Sequence, residues 1–172
     1  MSELSERAIG VFDSGIGGLT VVRELMRRLP HEHIVYFGDS ARVPYGTKSP
    51  ETVTRFTREA ARFLVRRQIK YLVIACNTAS ALALPTIEKE LELPVSGVIF
   101  PGARAAIRAT RSRRIGVIAT QATVRSRAYE DAIAALAPGA EVTAAACPLF
   151  VPLAEEGWTE GDVVERGASI YL

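Results

Sequence analysis

Cys76 ends the apolar run Tyr71-Leu72-Val73-Ile74-Ala75 and is followed at once by Asn77, Thr78, Ala79 and Ser80. The run reads as a buried strand. The amide and hydroxyls after it are residue types that open helices. A thiol at such a junction is a candidate nucleophile or proton carrier. The alternative is an inert buried cysteine, and the polar triplet after the thiol favours function.

Other strand ends carry polar groups of the same kind. The first run closes on Asp13-Ser14-Gly15-Ile16-Gly17-Gly18. Gly-rich turns bring backbone amides close to a ligand. Gly15 and Gly17 fit a dinucleotide fingerprint, with Asp39 about where a ribose-binding acid would stand, but Thr20 replaces the third glycine. Asp13 would also set a carboxylate against a pyrophosphate, so the dinucleotide reading is weak. In the bland alternative the glycines only make a tight turn that Asp13 caps. The second run closes on Gly38-Asp39-Ser40, with Tyr45-Gly46 shortly after. Asp39 is equally a turn cap, and Pro44-Tyr45 equally a plain turn. Convergence raises them all, because the C-terminal strand ends of a parallel sheet line one crevice. Asp13, Ser14, Asp39, Tyr45, Cys76, Asn77 and Thr78 would share it.

Further along, Cys147 precedes Pro148 within an apolar stretch and reads as inert core. Glu155 is the polar candidate there, and Glu156 reads as surface. His31 and His33 straddle a turn and read as surface residues. Two cysteines without flanking histidines do not make a zinc site, and no metal site is expected.

The elements that must position these groups alternate. The sequence predicts strands at 8–12, 34–37, 71–75, 95–98, 115–119 and 142–146. Helices are expected at 17–29, 50–67, 78–91, 101–110 and 122–136, with another from 162. Repeated strand–helix units imply an α/β fold with a parallel sheet covered on both faces. Ile9-Gly10-Val11 and Ile115-Gly116-Val117 each begin a strand–turn–helix unit, a weak echo of two related halves. The expected domains are 1–98 and 99–172. At the same offset the counterpart of Cys76 falls beyond Leu172. The last segment reads as a helix with no stop signal, so a shortened chain is expected.

The chain has 172 residues, 48% hydrophobic and 23% charged, with a net charge of +2. That is ordinary for a globular protein and too mild to indicate nucleic acid. The arginines at 104, 108, 111, 113 and 114 read as the solvated end of a helix. Met1–Arg7 is polar and unlike a signal peptide, and no apolar run reaches membrane-spanning length. A cytoplasmic location with reduced thiols is expected.

The segments GVFDSGIGGLTV, FGDSARVPYG, VIACNTASA, GVIATQATV and CPLFVPLAEEG, in this order, resemble the glutamate racemase family of the aspartate/glutamate racemase superfamily. The resemblance implies two pseudo-symmetric α/β domains with the substrate between them. It implies cofactor-independent interconversion of L- and D-glutamate, supplying D-glutamate for peptidoglycan. Two cysteines, one on each face of the substrate Cα, exchange its proton. By position, Cys76 resembles the first of them. Asp13 and Ser14, Tyr45 and Gly46, and Asn77 and Thr78 resemble the substrate-binding pairs, and Asp39 and Glu155 resemble acids near the site. The family's second cysteine lies in a Gly-Cys-Thr-His segment that this sequence lacks. Cys147 does not match it, so the 172 residues alone are expected to be inactive. An aspartate or other amino-acid racemase is the alternative enzyme. A non-catalytic module with a gyrase-type partner is the alternative of another class. A homodimer is left open.

Overall fold

The computed structural model describes residues 6–172; the reading of Met1–Ser5 lies outside the described residues. The chain divides into two compact units, the first reaching to Val98 and the second spanning Ile99–Leu172.

In the first unit, strands β1 (Ile9–Asp13), β2 (Ile34–Gly38), β3 (Tyr71–Ile74) and β4 (Val95–Gly97) form a parallel sheet in the order β2-β1-β3-β4. All five β1 residues are buried, as expected of a central parallel strand covered on both faces. Alternation then sorts its side chains. Ile9 and Val11, with Ala75, take Val21, Val22 and Leu25 of helix α1 (Leu19–Arg28). Phe12, with Leu72 and Ile74 of β3, faces helix α2 (Pro50–Val65), whose Val53, Ala60, Ala61 and Leu64 are buried in the same cluster. The start of α2 is written locally. Ser49 Oγ accepts the Thr52 amide at 3.2 Å, and Pro50 occupies the first turn, where its missing N–H costs nothing.

The expected helix over 78–91 is two helices, α3 (Asn77–Leu82) and α4 (Leu84–Glu90), meeting at Ala83. Pro85 has no amide to continue the first helix, and its ring crowds the preceding turn. Nothing prevents it from sitting in the first turn of the second.

In the second unit, α5 (Ile99–Ala109) begins two residues earlier than expected. Pro101 lies inside its first turn, where the amides are unpaired in any case. Strands β5 (Arg114–Ala119) and β6 (Glu141–Ala146) form a two-stranded parallel sheet. The helix expected over 122–136 is broken into α6 (Gln121–Ser126) and α7 (Ala128–Leu136), with Arg127 between them in the left-handed region at φ 58°. Ser126 accounts for the break. Its hydroxyl donates to Thr123 O at 2.6 Å and accepts from the Ala128 amide at 3.3 Å, replacing helical bonds with local ones. Helix α8 (Phe150–Glu155) was not expected. Helix α9 (Asp162–Tyr171) follows, and Phe150 meets Tyr171 edge to face at 5.6 Å.

The β5–β6 sheet is not covered as the sequence led us to expect. Burial alternates along β5 between half-buried and exposed, and Ile118 is 52% exposed. Leu149, Trp158, Val163, Ile170 and Leu172 are also exposed. Among the described residues no helix is long and apolar enough to cross a membrane.

Candidate active site

Two backbone bonds carry the β ladders past the strand ends. The Asp39 amide donates to Asp13 O at 2.9 Å, and the Ala75 amide donates to Phe12 O at 2.7 Å. They bring Asp13, Asp39 and Cys76 to one edge of the sheet, at the C-terminal ends of β1, β2 and β3. The chain leaves β1 for β2 on one side and later returns to β3 on the other. Such a reversal of strand order opens a crevice that commonly holds the ligand.

Asp13 is 6% exposed. One of its oxygens, Oδ2, accepts the Gly15 amide at 3.1 Å and the Gly18 amide at 2.9 Å. The carboxylate thus winds the glycine turn around itself. A Cβ at position 18 would stand 2.5 Å from Asp13 Cβ, so only glycine passes there. This is the capping role weighed in the sequence. It also overturns the dinucleotide reading, because the amides that would meet a pyrophosphate already hold a carboxylate.

Cys76 is the N-cap of α3. Its Sγ accepts the Ala79 amide at 3.4 Å and contacts Ser14 Oγ at 3.2 Å. Burial pushes the thiol above its ordinary range, and the Asp13 charge adds to that. The Ser14 hydroxyl and the Ala79 amide work in the opposite direction, but burial prevails. The sulfur therefore rests as a thiol. Asn77 and Thr78 lie in the first turn of α3, Asn77 exposed and Thr78 buried.

Tyr45 and Gly46 are both buried in a single 3-10 turn, Tyr45–Thr47. The Tyr45 hydroxyl donates to Asp39 Oδ2 at 2.5 Å. Burial raises the phenol far above its ordinary range, and the Asp39 carboxylate raises it further. The same Oδ2 accepts Arg42 Nε at 2.6 Å. Sequence reasoning passed over Arg42. Its only signal was a cation three residues after a buried acid within one turn.

In the second unit, Glu155 is half-buried at the last position of α8, and Glu156 is exposed. Cys147 is 2% exposed and its sulfur donates only weakly, to Ala145 O at 3.8 Å, in keeping with inert core. His31 and His33 are exposed. Among the described residues no three His, Cys, Asp or Glu side chains gather in a way that could hold a metal. A cleft of about 260 Å³ between α2 and α4, lined by Arg58, Ala61, Arg62, Ile87, Glu90 and Leu91, contains none of the strand-end residues.

Comparison with known proteins decides the family. The model of the Asp/Glu/Hydantoin racemases matches residues 9–166. The chain belongs to this family. It is 61% identical over 166 residues to the glutamate racemase of Geobacter metallireducens, covering 96% of this chain and 62% of that one. It is 54% identical over 168 residues to the glutamate racemase of Chlorobium phaeobacteroides, covering 97% and 62%. The glutamate racemase of Francisella tularensis, solved in complex with D-glutamate, superposes with a TM-score of 0.89 at 46% identity, over 97% of this chain and 63% of that one. That of Campylobacter jejuni superposes at 0.90 with 43% identity, over 95% and 66%. The chain thus spans about three fifths of the length of the curated relatives it matches. The mixed α/β fold with parallel sheets is the one these solved racemases share.

The sheet edge described above sets a thiol beside a hydroxyl, a carboxylate and the first turn of a helix.

Proposed function

We propose that this chain forms part of a cofactor-independent glutamate racemase, in which Cys76 exchanges a proton with one face of the substrate Cα. The observation that carries the reading is the Cys76 sulfur at the β1/β3 crevice, 3.2 Å from Ser14 Oγ, in a chain 61% identical to a glutamate racemase. A glutamate-sized substrate would be held by Ser14, Tyr45, Gly46, Asn77 and Thr78. Asp39 would act from behind Tyr45. Asp13 would face the substrate ammonium, and Glu155 would serve as a further acid.

Inversion needs a proton carrier on each face of the carbon, since one group in place serves only one. A thiol suits the task because thiol and thiolate lie within reach of each other near neutral pH. At rest the sulfur is protonated and ready to donate. To act as base it must first shed that proton, and Asp13 opposes the resulting charge. A substrate ammonium set against Asp13 would offset that opposition, so binding itself would ready the sulfur. The growing carbanion beside the substrate carboxylate would be stabilised from the first turn of α3, which begins at Asn77 and Thr78. The opposite-face carrier implied by the family resemblance is the thiol of a Gly-Cys-Thr-His segment, a segment this sequence does not contain.

We place the protein in the cytoplasm, supplying D-glutamate for peptidoglycan. A direct test grafts residues 9–166 of this chain into the Geobacter metallireducens racemase in place of the matching part and follows glutamate inversion by circular dichroism. Retained inversion that Cys76→Ser removes supports the reading. Inversion undiminished by Cys76→Ser, or inversion of aspartate in place of glutamate, would defeat it.

A further inference from the structure

Arg42 joins three side chains, one from the turn after β2 and two from α2. Its Nε donates to Asp39 Oδ2 at 2.6 Å and its Nη1 donates to Glu59 Oε2 at 2.5 Å. Its guanidinium lies 4.1 Å from the centre of the Phe56 ring. Phe56 in turn packs on Tyr45, with ring centres 5.7 Å apart. We propose that Arg42 is a positioning residue: it fixes the Asp39 carboxylate, which in turn fixes the Tyr45 hydroxyl in the candidate site.

The connection runs through one atom. Asp39 Oδ2 receives both the Arg42 guanidinium and the Tyr45 hydroxyl. A carboxylate oxygen held by two donors cannot swing without breaking both bonds. With Arg42 gone, one charge-assisted bond is lost and the carboxylate can rotate. The Tyr45 ring itself stays put, because it is 1% exposed and packed against Phe12 as well as Phe56. Only the direction of the hydroxyl is left to Asp39. Arg42 is 30% exposed and Glu59 51%, and an ion pair so open to water contributes little stability. The arm to Glu59 therefore contributes orientation more than stability, whereas the arm to Asp39, which is 5% exposed, also compensates a buried charge. A lysine cannot replace it fully, because a point charge cannot bridge two carboxylates while stacking on a ring.

The link to substrate rests on the glutamate reading, in which Tyr45 lies beside the bound molecule. The test uses the 172-residue chain labelled with 13C at tyrosine Cζ. The Tyr45 signal is identified by its loss in Tyr45→Phe. Arg42→Ala is expected to shift that signal and Arg42→Lys to shift it less, while Tyr36, Tyr71, Tyr129 and Tyr171 stay in place as internal references. A Tyr45 signal unmoved in Arg42→Ala overturns the proposal. If that variant unfolds, an unmoved signal in Arg42→Lys overturns it. Titration with L- and D-glutamate adds a second readout. Arg42→Ala should weaken binding about tenfold, the loss of one charge-assisted bond. A parent chain that ignores glutamate counts against the functional reading alone, and the Tyr45 signal still decides the role of Arg42.

Discussion

The Cys76 sulfur and the Ser14 hydroxyl stand 3.2 Å apart, although 62 residues separate them in the chain. The parallel pairing of β1 with β3 creates this contact, since Phe12 registers with Ile74 and each strand then ends in a polar turn. Ser14 is one of two groups that hold the thiol down against burial. Ser14→Ala should therefore move the inflection in the rate of iodoacetamide alkylation of Cys76 to higher pH. Asp13→Asn should move it to lower pH, because the charge that disfavours thiolate is removed while an amide oxygen can still hold the glycine turn. Equal profiles for the two variants would count against this electrostatic account.

Cys76→Ser, in a polypeptide of the relatives' full length, should reduce glutamate inversion by about a thousandfold, the usual scale for a lost proton-transfer group. Substrate affinity should change little. A comparison of kcat and KM in both directions of reaction separates the two effects.

The pH dependence of stability follows from the raised thiol. A group whose folded pKa lies above its unfolded one stabilises the fold fully below the unfolded value, near 8.5 for cysteine. That contribution is lost as pH rises through the folded value. Urea midpoints should thus fall as pH rises past about 8.5, and the fall should be smaller in Cys76→Ser. Tyr45 acts in the same direction at still higher pH.

Gly18→Ala should destabilise the first unit by about 2 kcal/mol, because the new methyl would lie 2.5 Å from Asp13 Cβ and the glycine turn would have to open. Urea denaturation measures the loss. Ala at Gly116, where a Cβ would meet nothing within 4 Å, serves as the harmless control.

Strands β1, β2 and β3 were legible because their apolar runs are continuous and soon end in polar residues. Asp13, Ser14, Asp39 and Cys76 announced themselves for that reason. The breaks at Ala83 and Arg127 were harder to see. Pro85 can begin a helix as well as interrupt one, and Ser126 diverts the backbone only through bonds that need the folded turn. Helix α8 was not read from the sequence, and it tolerates Pro152 because that residue falls in its first turn, where no amide is needed. Arg42 could not be found from spacing alone, since its meaning depends on Glu59 and Phe56 of α2 reaching the turn after β2. Glu155 was legible as a polar position, and its role in the site remains part of the proposal.

Among the described residues β5 and β6 pair only with each other, so each presents a row of amides and carbonyls along its outer margin. With Ile118 standing out from one face, such margins act as templates for further strands. Expressed by itself, the polypeptide should self-associate as its concentration rises, forming dye-binding, β-rich aggregates that begin in the second unit.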